Sequence, residues 1–359
     1  MLEMLNGYPR FNLYKTVIYP HNPVVEARKS MAAQNNAPLP DGLEIAGYRI
    51  VKKIASGGFS IVYLAYDADG NAVAVKEYLP SALALRQPGE LVPVIAKGNL
   101  PVFRIGLKCF FEEGRALARI SHPNVVRVLN FFRANETVYM VMAYESGHSL
   151  QEHIQSQRAK GSKLGEAFIR QIFVQVLKGL REVHANQLLH LDLKPANIYL
   201  RTDGTPMLLD FGAARQTVNN DSPKLTPMYT PGFAPPELYS KTETLGPWTD
   251  VYSIGAAIFA CMVGSPPQPA DQRRKEDKME AHFARLDGQY TPELVSLVRR
   301  ALQIDALARP QSLFELQKVL QAPPPPPPVP GTLEKLGGQV RGLLGRFSRK
   351  KDGPPTGSS

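Results

Sequence analysis

The residue types best able to do chemistry stand close together in His190-Leu191-Asp192-Leu193-Lys194-Pro195-Ala196-Asn197, and Asp210-Phe211-Gly212 begins 13 residues after Asn197. A carboxylate, an ammonium and an amide in one loop, with a second carboxylate ahead of a glycine, can supply a base that positions a hydroxyl, a clamp for a phosphate and two oxygen ligands for magnesium. A surface loop of solvated polar residues would also contain such types. Their order and spacing, matching several motifs together, argue against that bland reading.

Two weaker signals lie upstream. Ser56-Gly57-Gly58-Phe59-Ser60-Ile61-Val62 separates two apolar runs, and glycines there let a hairpin bring backbone N–H groups close to phosphate oxygens while Val62 covers a planar base. A Gly-Gly hairpin alone is more often just a turn. Lys76 follows Ala74 by two positions, so on a strand both face one side while Val73 and Val75 face the other, toward the core. By itself that lysine is equally a solvated strand residue.

These groups need elements to hold them. Tyr48–Ile54, Ile61–Tyr66 and Ala72–Lys76 read as three antiparallel strands separated by Gly57-Gly58 and Asp69-Gly70-Asn71, with two more strands at Val125–Phe132 and Thr137–Met142. A helix is expected over Phe110–Ile120. Beyond Gly147 the pattern turns helical: Ile169, Ile172, Phe173, Val176, Leu177, Leu180 and Val183 recur at helical spacing, and further helices are expected at 248–263, 292–304 and 311–321. A β-rich first lobe followed by a mainly helical second lobe is an α+β arrangement.

The composition is that of a globular chain of 359 residues with 43% hydrophobic and 21% charged side chains. The net charge of +10 is concentrated in the flanks: residues 321–359 carry six Lys/Arg against two acids, and residues 1–40 four against two. The remaining mildly basic centre does not argue for a specific nucleic-acid partner. Cys109 and Cys261 are the only cysteines, which excludes a disulfide framework or a four-cysteine zinc site and suits a reducing cytoplasm. No apolar run reaches the length of a signal peptide or a bilayer span.

The stretch 48–320 resembles a protein kinase catalytic domain, specifically the eukaryotic-like serine/threonine kinases of bacteria. The residues that carry the likeness are Lys76-Glu77-Tyr78-Leu79-Pro80, the His190-Leu191-Asp192 form of the catalytic loop, and Thr230-Pro231-Gly232-Phe233-Ala234-Pro235-Pro236-Glu237. The resemblance implies a bilobal fold with its N-lobe at 41–145 and C-lobe at 146–320. It also implies the use of ATP with Mg²⁺, or Mn²⁺ in its place, to phosphorylate protein hydroxyls, including the chain's own.

Carried over by resemblance, Lys76 binds phosphates and pairs with Glu113, while the neighbouring Glu112 points away by about 100° on a helix. Ala55, Gly57, Gly58 and Val62 form the glycine-rich hairpin. Met142 is the gatekeeper, the backbone of Ala143 and Glu145 meets adenine, and Val62, Ala74 and Tyr199 pack on its ring. Asp192 orients the acceptor hydroxyl, Lys194 contacts the transferred phosphate, Thr230 bridges those two, and Asn197 and Asp210 hold the metal. Glu237 with Arg309 forms a buried ion pair, and Asp250 braces the catalytic loop. A scaffold that keeps the fold without transferring phosphate, and a fold that merely displays a basic tail, are the competing readings. The intact set Lys76, Glu113, Asp192, Asn197 and Asp210 favours transfer.

Several positions depart from the family pattern. Ala55 and Ser60 stand where glycines often do, Pro235 replaces an alanine, and the 36 residues between Lys76 and Glu113 leave room for an extra element. Leu191 stands where many kinases have the arginine that pairs with a phosphorylated activation segment, which puts that control in doubt.

Residues 1–40 read as a loosely ordered leader within which Met31 is an alternative start, and 321–331 as a proline-rich linker. Residues 332–359 form a basic amphipathic tail, read first as disordered and solvated because four glycines oppose a helix, with a helix formed only on binding an anionic membrane surface or a docking partner through 332–351 as the alternative. The expected setting is cytoplasmic, with peripheral membrane association as the tail's alternative.

Overall fold

The computed structural model describes residues 36–211, 229–240 and 242–322, together with the backbone of 215–216. The first lobe is built on β1 (Glu44–Ile45), β2 (Tyr48–Ser56), β3 (Ser60–Tyr66) and β4 (Ala72–Tyr78). It continues through a small hairpin of β5 (Ala84–Leu85) and β6 (Val94–Ile95), helix α1 (Leu100–Leu117), β7 (Val128–Ala134) and β8 (Thr137–Ala143). Six of these strands form one antiparallel sheet in the order β1-β2-β3-β4-β8-β7. The β3–β4 turn is fixed by Asp67, whose Oδ1 accepts from the backbone N–H groups of Asp69 and Asn71, and by Gly70 at φ +82°. Period-two alternation then sends Val73 and Val75 into the core and turns Ala74 and Lys76 toward the cleft.

The second lobe begins with β9 (Gly147–Ser149), α2 (Leu150–Ala159) and α3 (Glu166–Ala185). Ser149 and Glu152 close a reciprocal capping box at the start of α2. The face Ile169, Ile172, Phe173, Val176, Leu177, Leu180 and Val183 of α3 is fully buried, as its spacing predicts. Then follow β10 (Leu188–Leu189), β11 (Ile198–Arg201), β12 (Pro206–Leu208) and β13 (Arg215–Gln216). Helices α4 (Pro247–Val263), α5 (Ala270–Arg273), α6 (Met279–Ala284), α7 (Pro292–Ala301) and α8 (Leu313–Gln321) complete the lobe. Residues 249–262 of α4 are buried on every side, so this helix forms the axis on which the lobe packs. Among the described residues no helix is long and apolar enough to cross a membrane.

Three expectations change. Helix α1 starts at Leu100, ten residues before Phe110, and ends at Leu117. Gly106 obscures it in the sequence, yet a Cβ there would collide with the Tyr78 hydroxyl, so the glycine serves a tertiary contact. The strand expected from Val125 begins at Val128, with Val125 making only an isolated bridge to Leu208. Finally, residues 36–40, assigned above to the leader, belong to the first lobe: Leu39 is buried in its core, and Asn36 and Ala37 hydrogen-bond to the segment between β4 and α1. Residues 1–35 and the linker and tail from 323 onward lie outside the described residues; Gln321 is still helical.

Candidate active site

A cleft between the lobes is lined from above by Val62, Ala74 and Met142 and from below by Tyr199 and Leu209, with Lys76, Glu113, Asn197 and Asp210 at its inner end. Ala55, Val62 and Ala74 form a small apolar cluster with Ile54, Met142 and Tyr144 against it, a smooth cover for a flat ring. The small side chain at Ala74 keeps the space open. Ala143 and Glu145 lie on the strand and link that edge the cleft. The Ala143 N–H is committed to the Arg127 carbonyl, so its own carbonyl is what this residue can offer a ligand. Tyr199 sits on β11 and donates its hydroxyl to the Glu145 carbonyl, tying floor to hinge.

The glycine hairpin is tied within itself and to the segment after β4: the Gly57 N–H donates to the Ser60 carbonyl, and the Gly58 carbonyl accepts from Ser81. In this arrangement the Gly57 donor is spent inside the turn.

At the polar end, Asp192 Oδ1 accepts from the Thr230 hydroxyl at 2.9 Å and Oδ2 from Lys194 at 2.7 Å, and Lys194 also donates to Thr230 at 2.8 Å. Asn197 donates through Nδ2 to the Asp192 backbone carbonyl at 2.8 Å and to Oδ2 at 3.2 Å. Three groups from two segments are thereby fixed around one carboxylate. The loop itself is braced from beneath by the fully buried Asp250, which accepts from the N–H groups of His190 and Leu191, each at 2.9 Å, and from His184 Nε2 at 2.8 Å. Burial by itself would raise the Asp250 carboxyl, but the His184 hydrogen bond, nearby histidine charge and the backbone donor hold it below the usual range. Leu191 accommodates this geometry at φ +64°. His190 donates through Nε2 to the Leu209 carbonyl, and burial pushes its imidazole down, toward the neutral form.

The expected Lys76–Glu113 pair is not what the structure forms. Lys76 Nζ sits 2.5 Å from Asp210 Oδ1, while Glu113 Oε1 is buried without a hydrogen-bond partner among the described residues. Burial drives the Glu113 carboxyl up to about 8, against the opposing pull of the Lys76 charge, and burial pushes the Lys76 ammonium down. Two carboxylates share one cation, and Asp210, at φ +53°, reaches it first.

The donor set fits a hard divalent cation. Asn197 Oδ1 is a buried oxygen with no hydrogen-bond partner among the described residues, and Asp210 supplies a carboxylate at the same end of the cleft. Outside it, Glu237 and Arg309 form a buried bidentate pair at 2.7 and 3.0 Å, with the guanidinium 5.0 Å from the Tyr252 ring centre. Two neighbours were given no role above: Phe211, whose ring is tilted against that of His190 at 4.4 Å between centres, and Leu209 in the floor. The first stands inside the Asp210-Phe211-Gly212 motif and was legible there; Leu209 carries no local signal.

A family model described as the protein kinase domain matches residues 48–323. The chain is similar to the human serine/threonine-protein kinase Nek5, 29% identical over 79% of this chain and 37% of that protein. It is also similar to serine/threonine-protein kinase B of Synechocystis, 26% identical over 77% of this chain and 46% of that one. Among solved structures, the apo form of PpkA-294 matches with a TM-score of 0.69 and 36% identity, covering 79% of this chain and 99% of that chain. The chain spans less than half the length of these two curated relatives.

Proposed function

The chain belongs to the protein kinase family, in its bacterial eukaryotic-like serine/threonine branch, and from that premise we propose that it transfers the γ-phosphoryl group of ATP to serine or threonine hydroxyls of proteins, its own included. The observation that carries this reading is the Asp192 carboxylate, held at both oxygens by Thr230 and Lys194 at the polar end of an otherwise apolar cleft. Phosphoryl transfer has a loose transition state, so positioning and charge compensation are the main work. Asp192 accepts the incoming hydroxyl's hydrogen bond and orients its oxygen. Lys194 and Lys76 place cations on either side of the phosphates. Asn197 and Asp210 are the groups that would hold Mg²⁺, which when bound neutralises phosphate charge. Val62, Ala74 and Tyr199 exclude water from the base.

Thr230 lies on the segment leading to Glu237, which the Arg309 pair anchors to the helical core. A hydroxyl shared by Asp192 and Lys194 thus couples the catalytic loop to the surface where an acceptor chain would lie. Between Gly212 and Glu237 the hydroxyls open to self-phosphorylation are Thr217, Ser222, Thr226, Tyr229 and Thr230; the first three lie outside the described residues, as does the 332–351 segment, whose reading as a surface for anionic lipid or a docking partner rests on sequence alone. The test is transfer of labelled phosphate from ATP to a generic basic protein by the full chain. Asp192→Asn is expected to lower turnover by about 10²–10⁴, and wild-type turnover in that variant would overturn the assignment. Binding of ATP by the wild-type chain without transfer would favour the scaffold reading.

A further inference from the structure

Residue Glu77 follows Lys76 on β4 and points to the opposite face of the sheet, where its carboxylate is fully buried. Both of its oxygens are doubly engaged. Oε1 accepts from Arg86 at 2.5 Å and Tyr139 at 2.7 Å, and Oε2 from Arg86 and Tyr63, each at 2.7 Å. Arg86, only 1% exposed, belongs to the segment between β4 and α1, and its fork is completed by the Tyr63 hydroxyl and, through Nε, by the Ala37 carbonyl at 2.8 Å. A buried pair of this kind gains little net stability over apolar packing, but the planar fork fixes direction.

The segment 36–39 closes the arrangement. Asn36 donates to the carbonyls of Leu79 and Ala84 and accepts from the Arg86 N–H at 2.6 Å, and the Leu39 N–H donates to Tyr63 at 3.1 Å. These residues lie upstream of the stretch that the family model matches. On the other side of Glu77, Tyr78 packs its ring on Phe103 and Phe110 of α1, at 5.3 and 5.6 Å, over the space that Gly106 leaves open. Three successive residues of β4 therefore meet the cleft, the strap and the helix that carries Glu113.

We propose that residues 36–39 are a positioning strap: by holding Arg86 against Glu77 they set where β4 presents Lys76 and where α1 presents Glu113. Asn36 and Arg86 are positioning residues for phosphoryl transfer, although neither lines the cleft. The proposal rests on the reading of Lys76 and Glu113 as a working pair.

The test is a double-mutant cycle in the full chain between Asn36→Ala and Glu113→Gln, with the thermal midpoint measured on the same samples. Asn36→Ala removes three hydrogen bonds at a half-buried position. It is expected to lower kcat about fivefold, the low end of coupling between sites, with KM for the protein acceptor unchanged. Asn36→Ser, a shorter donor and acceptor, is expected to fall between it and wild type. In the Glu113→Gln background the same substitution should change kcat by less than about twofold, because the alignment it supports is already lost. Unchanged kcat in Asn36→Ala would overturn the strap. So would an equal loss in both backgrounds. Full turnover of Glu113→Gln alone would instead sink the Lys76–Glu113 pairing itself, a failure read from a different variant.

Discussion

The two sides of the cleft hold their charges in opposite ways. On the C-lobe side, Asp192, Lys194, Asn197 and Thr230 are joined to one another and rest on Asp250, with both Asp192 oxygens engaged. On the N-lobe side, Lys76 has two acidic side chains within its field and bonds to Asp210, and Glu113 Oε1 has no hydrogen-bond partner among the described residues. A closed network stays in place, whereas a cation with two candidate partners can exchange between them. On the proposed function, the difference teaches that the half of the site meant for the acceptor is held in place and that the half meant for the phosphates is where alignment can be lost or gained.

The largest effect should come from breaking the preformed half or the acid beside it. Asp192→Asn and Asp210→Asn are each expected to lower turnover by about 10²–10⁴, and Asp210→Asn should also raise the Mg²⁺ concentration needed for half-maximal rate. Steady-state rates against Mg²⁺ separate the two: an unchanged metal requirement in Asp210→Asn would remove Asp210 from the ligand set. The scaffold beneath should fail differently. Arg309→Met leaves Glu237 buried without its cation, which costs about 3–5 kcal/mol of stability, read as a lowered denaturant midpoint; a midpoint equal to wild type would show that the pair is replaceable.

The N-lobe half gives a smaller effect with a sign. Glu113→Gln is expected to lower kcat about tenfold, or roughly 1.4 kcal/mol, while the domain stays folded. Its carboxyl rises from 4.5 to about 8 in the folded chain. The folded state therefore holds a proton that the unfolded state has released. Stability from this group is full below pH 4.5 and is lost as pH rises toward about 8. Denaturant midpoints between those limits should fall with pH more steeply in the wild type than in Glu113→Gln. Parallel profiles would mean that the group titrates as an ordinary carboxyl.

The same contrast explains what could be read before the structure was known. The catalytic loop was legible because its chemistry is local: Asp192, Lys194 and Asn197 are close in sequence, and Asp250 heads a run of apolar residues that can only be a buried helix. What escaped depends on distant contacts. Gly106 weakens the helical pattern of α1 for the sake of Tyr78, Asn36 and Leu39 look like leader until Arg86 and Tyr63 meet them, and the choice of Lys76 between Glu113 and Asp210 is decided across 134 residues of chain. Periodicity reports a face; it does not report what meets that face.

The smallest expected effect sharpens the comparison at the edge of the preformed half. Leu191, only 3% exposed, stands in a cluster with Leu189, Ala234 and Leu238, against which Tyr229, Tyr239 and Leu245 pack, and the two tyrosine rings lie 4.1 Å apart. The segment that presents Thr230 is thus held to the catalytic loop by apolar contact and by the Asp192–Lys194–Thr230 bonds. A phosphate adds about −1.5 to −2 charges at neutral pH and orders a segment only where a cation receives it; an apolar side chain at position 191 offers none. Phosphatase-treated, self-phosphorylated and Thr226→Ala protein should therefore differ by less than tenfold in kcat on one acceptor, under about 1.4 kcal/mol. Thr230 is set apart from this expectation, since its hydroxyl belongs to the network and its loss should act as a catalytic defect. A larger dependence on phosphorylation would show that another cation, with Arg215 and Lys224 the nearest in sequence, has taken the receiving role, and the acceptor half would then be completed by modification instead of by packing.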